Sequence, residues 1–358
     1  MGGVLFRYLS TMLLKRTFAT LLVLVGLLQV VDLFDASSEV LKRGLGMGGI
    51  LEYEFLRTPV MIEQILPVAV LVGALTCFTG LARNSEMAAL RATGATIYRI
   101  VALMLPAAAL VAVLHFLIAD QVSPRAQQAF TVWWNSHPPK TQAVATKIKP
   151  VWFRTGSYLV YAEGASADGR RLEKPRIYRR EPGGRMSERL LARSAAFGVD
   201  GRWTLDGVQE LDVAPTSLNN ARQGQRVWNA DLDPADVVTV FSPEERISAG
   251  KALRAMTGNR PADKSPAYYA TRIQRALAEP LGALVMLLLA APAALAHQRN
   301  SQATLLMFSL AAGLMFLAVD GVLTALGQTN VLPPLLAAWA GPALFAALAG
   351  AALVHLEG

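Results

Sequence analysis

The chain has 358 residues, 53% hydrophobic and only 17% charged, whereas a soluble domain carries about 25% charged residues. Its net charge of +8 is concentrated in positions 120–272, which hold 23 Lys+Arg and 16 Asp+Glu; the rest of the chain nets only +1. This excludes an ordinary soluble enzyme, and the single cysteine, Cys77, lies in an apolar run and excludes a disulfide framework. A hydrocarbon core of ~30 Å needs ~20 apolar residues per helix. Six spans are predicted, at 13–33, 62–82, 100–120, 278–297, 302–326 and 333–355.

The first span is interrupted by Lys15 and Arg16 and closed by Asp32. Basic side chains near a helix end can snorkel to the interface, so the span stands. No small-x-small cleavage site follows Val31, which favours an uncleaved helix over a signal peptide. Between spans two and three lies "LARNSEMAALRATGATIYRI", residues 81–100. Its pattern predicts a short helix over 84–94: Asn84 or Ser85 as N-cap, Glu86 in the first turn, Met87, Leu90 and Ala88 on one side, and Gly94 as a left-handed terminator. The residues alone leave two readings open. One is docking of a small-residue helix into a protein groove, with Glu86 facing a basic partner; the other is rest on lipid headgroups, which its arginines suit.

Residues 140–245 read as β-structure. "SYLVYAEG" alternates, and "SAAFGVDGRWTLDGVQELDV" predicts two strands around a type I′ turn at Asp200-Gly201. Further turns are expected at Asp168-Gly169, Pro182-Gly183-Gly184 and Asn219-Asn220, giving a sandwich, jellyroll or open barrel. His137 is the only histidine in the block 120–275 and no cysteine accompanies it, so no zinc site is expected. "GNRPADKS" (258–265) mimics a phosphate-binding loop but has Asp263 where the second glycine belongs.

Within the spans, His115 is expected at the membrane interface. Asp320 could line a cavity, pair across a lateral gate or meet water at a helix break near Gly321. Ala343, Ala347, Gly350 and Ala351 have the spacing of a close helix-packing stripe, expected to pack within the subunit. Positive charges lie at Arg7, Lys15, Arg16, Arg83, Arg91, Arg99 and Arg299 (beside His297), whereas the loop "GQTNVLPP" has none. The positive-inside rule therefore puts both termini and 84–94 in the cytoplasm, with 34–60 and 120–275 on the opposite, periplasmic side.

"LARNSEMAALRATGAT" resembles the coupling helix of permeases that work with a separate ATP-binding-cassette ATPase. FtsX/MacB-like and lipoprotein-release permeases have four spans, with the soluble domain after the first. Here the soluble block follows span three, an order similar to the YjgP/YjgQ family, the LptF and LptG permeases of lipopolysaccharide export. "RYL" at 7–9, "VDLF" at 31–34, "YLVYAEG", "LLARSAAFGVDGRWTLDGV", "EPLGALVMLLLAAPAALAHQRN" and "LPPLLAAWAGPALF" extend the likeness over nearly the full length. The last two are nearer to the LptG branch.

The resemblance implies a six-helix membrane protein with a periplasmic β-jellyroll inserted between helices three and four. The divisions would be 1–120, 121–272 and 273–358. It implies an inner-membrane permease that extracts lipopolysaccharide through a gate of spans one and five, binds no cofactor and leaves hydrolysis to its ATPase. Glu86 matches the family glutamate that contacts the LptB-like ATPase, with Met87, Leu90 and Arg91 beside it. Implied partners are an LptF-like second half, two LptB-like subunits, and LptC-like and LptA-like jellyroll proteins. Where family members carry phosphate-holding lysines near the end of span one, this chain has Gln29, Asp35 and Ala36; Lys42 and Arg43 are the candidate replacements. No Ser/Lys pair or HExxH motif supports an intramembrane enzyme. A scaffold that recruits an ATPase without transporting is the remaining rival.

Overall fold

The computed structural model describes residues 2–138, 150–166, 168–180, 186–214, 217–220, 224–241, 247–257, 261–295 and 302–357. Two compact units divide the chain: residues 1–36, 57–123 and 271–358 form one, and 37–56 with 124–270 form the other. The predicted turn at Pro182-Gly183-Gly184, and His297 and Arg299, lie outside the described residues.

The helices are α1 (Gly2–Lys42), α2 (Gly46–Arg83), α3 (Glu86–Ala92), α4 (Ile97–Leu117), α5 (Ser123–Ser136), α6 (Pro234–Val240), α7 (Ala249–Met256), α8 (Pro266–Ala278), α9 (Gly282–Ala290), α10 (Gln302–Gln328) and α11 (Pro334–Glu357). Among the described residues, six helical stretches are long and apolar enough to cross a membrane: 3–42, 46–83, 97–136, 266–294, 304–328 and 334–355. They match the six predicted spans in order, but several run well past the apolar limits. A π-turn at Ile118–Val122 carries α4 into α5. Short 3-10 turns at Glu279–Leu281 and Ala291–Leu295 flank α9. Pro280 and Pro292 sit in those turns, where a missing N–H breaks the α-helical ladder.

The first unit is built around a core of small and aliphatic side chains. Leu9 and Leu13 of α1, Leu71 and Phe78 of α2, Ile100 and Met104 of α4, and Met286 and Leu287 of α9 are fully buried in it. Close approach of α1 to α2 depends on Gly73: a Cβ there would lie 2.7 Å from Thr17 Cα and 2.8 Å from Thr17 N. Backbone cannot yield as a side-chain tip can. We therefore expect Gly73→Val to force the two helices apart and cost about 1–3 kcal/mol, read as a lowered melting temperature of the detergent-solubilised protein. A melting curve identical to wild type would contradict this packing.

The stripe Ala343, Ala347, Gly350 and Ala351 is not the packed face of α11: its three alanines are exposed and Gly350 is half-buried, while Phe345, Ala349 and Leu353 are buried. Phe345 packs edge-on against Phe316 of α10. The larger ring fixes the inward face, and the small stripe is turned away.

Among its described residues the second unit holds ten strands: β1 (Val151–Thr155), β2 (Tyr158–Ala162), β3 (Gly164–Ala165), β4 (Arg171–Glu173), β5 (Arg176–Arg180), β6 (Met186–Leu191), β7 (Ser194–Phe197), β8 (Trp203–Ala214), β9 (Ser217–Asn220) and β10 (Gly224–Trp228). All pairings are antiparallel, in the order β1-β2-β5-β6-β8-β7-β4-β3, with β9 and β10 also on β8. The long β8 changes partners near Gly207 (φ 64°). Its first half pairs with β7 and β10, its second with β6 and β9. The sheet wraps round Phe153, Val160, Ile177, Leu190, Trp203, Leu205 and Trp228. The result is the nearly closed, jellyroll-like β-domain the sequence predicts between the third and fourth spans.

Two turn assignments change. Only Gly201 of the Asp200-Gly201 pair has positive φ (74°), and Gly201 N–H donates to the Gly198 carbonyl. The connection is thus a longer loop closed by a left-handed glycine rather than a type I′ turn. Asn219-Asn220 belongs to β9, paired with Asp212 and Leu211. Its position in a long ladder overrides the local turn preference of asparagine.

Candidate partner-docking site

α2 ends at Arg83, and the chain reverses into α3 through Ser85, which adopts the left-handed conformation (φ 58°) and makes no side-chain cap. The predicted Asn84 or Ser85 N-cap is therefore absent, because a left-handed Ser85 cannot hold the extended backbone a cap requires. Gly94 ends the helix as predicted (φ 81°). Its N–H donates to the Arg91 carbonyl, and Ala95 N–H reaches the Leu90 carbonyl at 3.3 Å, the pattern of a glycine-terminated helix. Thr96 then caps α4, its hydroxyl accepting from Arg99 N–H at 3.3 Å.

Met87 is buried in the core of the spans and Leu90 packs against it. Met87 turns into the protein itself and the half-buried Leu90 packs beside it, so both fasten α3 to the spans. Their larger apolar area is better satisfied by Leu81 and Ile97 in the same core cluster. What α3 leaves exposed is small and polar: Asn84, Ser85, Ala88, Ala89, Ala92 and Thr93, with Arg91 half-buried at the side.

Glu86 stands at the edge of this face. Its Oε2 accepts from the Tyr8 hydroxyl at 2.7 Å, and its Oε1 accepts weakly from Asn84 Nδ2 at 3.4 Å. Tyr8 is an addition that no local sequence signal announces, because it lies 78 residues away on α1. It ties the acid of α3 directly to the first span. Beside this contact an open groove of about 610 Å³ is lined by Gly3, Val4, Arg7, Tyr8, Thr11 and Lys15.

Several polar groups within the spans are paired. Arg16 does not simply snorkel: its guanidinium donates to the Thr76 carbonyl at 2.8 Å. Asp32 meets Arg57 at 3.0 Å. Gln29 donates to the Thr58 hydroxyl at 2.9 Å. Asp320 pairs with Arg275 of α8, and Glu279 accepts from Arg272 (3.5 Å) and lies 3.8 Å from Arg275. Asp320 is thus paired, but with α8 of the fourth apolar stretch rather than across a gate with α1. Gly341 of α11 permits it, since a Cβ there would sit 2.8 Å from Asp320 Oδ1. His115 is fully buried within the protein. It shares the inward helical row of Met104, Ala108 and Val111, a spacing that outweighs its position near the end of the span.

The two basic residues after span one differ. Lys42 is exposed. The Arg43 guanidinium donates to the carbonyls of Trp134 (2.8 Å) and His137 (2.7 Å), and lies 3.7 Å from the centroid of the Trp134 ring. Burial holds its proton less firmly than usual, with the Glu39 carboxylate opposing that loss. Arg43 thus clamps α5, and its charge is already occupied.

The sequence pattern of the family described as lipopolysaccharide export system permease LptF/LptG matches residues 7–355. The chain is 23% identical to the lipopolysaccharide export system permease protein LptG of Haemophilus influenzae over 97% of its length and 95% of that protein. It is also 23% identical to the protein of the same name from Escherichia coli K12, over 94% of each. These likenesses agree with the six apolar helices and the inserted antiparallel domain, and the span order sets aside the four-span permeases. The chain therefore belongs to the LptF/LptG family of lipopolysaccharide export permeases and is a multi-pass protein of the inner membrane.

Proposed function

We propose that the chain is one half of a heterodimeric permease, with an LptF-like partner as the other half and two LptB-like ATPase subunits docked on α3. The supporting observation is the division of α3 into two faces. Met87 and Leu90 fasten it to the spans, whereas Glu86 and the small residues Ala88, Ala89 and Ala92 remain accessible. Small side chains allow a close approach to a groove, and a carboxylate gives a charge-assisted contact to a basic partner.

In this reading the chain hydrolyses nothing itself. ATP binding closes the ATPase pair and pushes α3. The push passes to the spans through the anchored Met87–Leu90 side and to α1 through the Tyr8–Glu86 hydrogen bond. The cavity between the two halves narrows, and the lipid leaves for the β-domain and then for LptC-like and LptA-like jellyrolls, joined by strand addition at sheet edges. Lys42 remains a candidate for headgroup contact, and Arg43 supports it structurally.

This mechanism needs both termini and α3 in the cytoplasm and the β-domain in the periplasm. Single cysteines at Thr93→Cys and Val199→Cys, in a Cys77→Ser background, test that with a membrane-impermeant maleimide. Val199→Cys should label in intact spheroplasts and Thr93→Cys only in inverted vesicles. The reverse pattern would overturn the mechanism.

A further inference from the structure

Strands β1, β2, β5 and β6 turn Phe153, Val160, Ile177 and Leu190 into the interior of the β-domain. The alternate residues face outward, and there solvent would ordinarily call for polar side chains. Instead the outer face carries three aromatic rings. Trp152 stands opposite Tyr161, and Leu159 opposite Tyr178. The Trp152 ring lies 5.0 Å from Tyr161 and 5.7 Å from Tyr178, in a near-parallel stack with the latter. Trp152 keeps 48% of its surface exposed despite both contacts.

Guanidinium groups border these rings. Arg176, paired with Tyr161, lies 5.0 Å from its ring centroid. Arg189, paired with Tyr178, lies 5.8 Å from that ring. Arg154 stands on the same face, opposite Leu159, and is exposed. The bordering acid, Glu163, lies 3.8 Å from Arg176 but 2.8 Å from Lys174, so it offsets only part of the positive charge. Arg189 Nε is buried and has no acceptor among the described residues. A buried donor without an acceptor is costly, and here it lies beside an exposed aromatic platform.

β1 is an end strand of the sheet. Among the described residues its outer side is met only at Arg154, which exchanges two backbone hydrogen bonds with Ala262. The same strand presents Phe153 inward and Trp152 outward. An amphiphile crossing this edge with its chains inside would have its polar part against Trp152.

We propose that this outer face binds the anionic saccharide of the lipopolysaccharide being exported. The C–H faces of sugar rings pack on Trp152, Tyr161 and Tyr178, whose rings offer rigid apolar surface with a polar tip. Phosphate or carboxylate groups accept from Arg189 and Arg176, whose planar forks match such anions. The proposal rests on the export reading and adds a site for the headgroup sugars outside the β-domain.

The test uses the full-length protein in nanodiscs and isothermal titration with three probes. They are the phosphorylated core oligosaccharide released from lipopolysaccharide by mild acid, the same material after dephosphorylation, and soluble muropeptides as another anionic glycan. The core oligosaccharide should bind saturably. Trp152→Ala, Arg189→Gln or removal of its phosphates should each weaken binding about tenfold or more, as expected for loss of a stacked or charge-assisted contact. Arg189→Gln and Arg176→Gln keep the strands intact and decide the matter if Trp152→Ala does not fold. Absence of saturable binding, or affinity unchanged in the arginine variants, overturns the site. Equal binding of muropeptides overturns the assignment to the exported lipid. If the oligosaccharide does not bind but intact lipopolysaccharide still copurifies, only the saccharide site falls; if neither binds, the export reading falls with it.

Discussion

Glu86→Arg should leave the permease in the membrane and strip it of its ATPase. Reversing the charge removes the carboxylate that a basic groove would meet and places a cation there instead. Loss of one partner from a close interfacial charge pair costs about 2–5 kcal/mol, so association should weaken by on the order of 100-fold or more. Affinity copurification should recover the permease without the ATPase. The substitution also removes the acceptor for Tyr8. Glu86→Gln separates the two roles, because its amide oxygen still accepts from Tyr8 while the charge is gone. If the charge served only to complement the start of α3, the effect would be about 0.3–1 kcal/mol of stability, with no loss of ATPase. Undiminished copurification of the Glu86→Arg protein would count against docking at α3.

Arg275→Met should destabilise the spans severely. The Asp320 and Arg275 side chains are only 11% and 13% exposed, and Glu279 shares the same arginine. Removing the cation leaves Asp320 buried with its partner gone, a change worth about 3–5 kcal/mol. A large fall in melting temperature or in the amount of folded protein after detergent extraction is expected. Arg275→Met combined with Asp320→Leu should recover much of the loss, because an apolar pair needs no compensating charge. A double variant no better than the single one would show that the pair does not act as a unit.

The fold was legible where the signal is local. Apolar runs located all six spans, alternation located β2, β7 and β8, and Gly94 marked the end of α3 through its positive φ. Helix limits were not legible. Hydropathy marks where a helix leaves the hydrocarbon, whereas backbone hydrogen bonding continues through amphipathic stretches such as α5 and the first turns of α8. The geometry of α3 was half legible. A lone carboxylate at a helix start is a local pattern, and it pointed to Glu86. The inward turn of Met87 and the link to Tyr8 depend on which face meets the spans, which a seven-residue helix does not encode by itself. The pairing of Asp320 with Arg275, 45 residues away, is a tertiary fact of the same kind. His115 could have been found, since it continues the period of Met104, Ala108 and Val111.

Site-specific photocrosslinking from Ala88, on the accessible side of α3, tests the central proposition most directly. With a benzophenone amino acid at position 88 in living cells, ultraviolet light should join the permease to an ATPase polypeptide, and Glu86→Arg should abolish that adduct. Adducts to phospholipid alone, with the ATPase absent, would contradict the account.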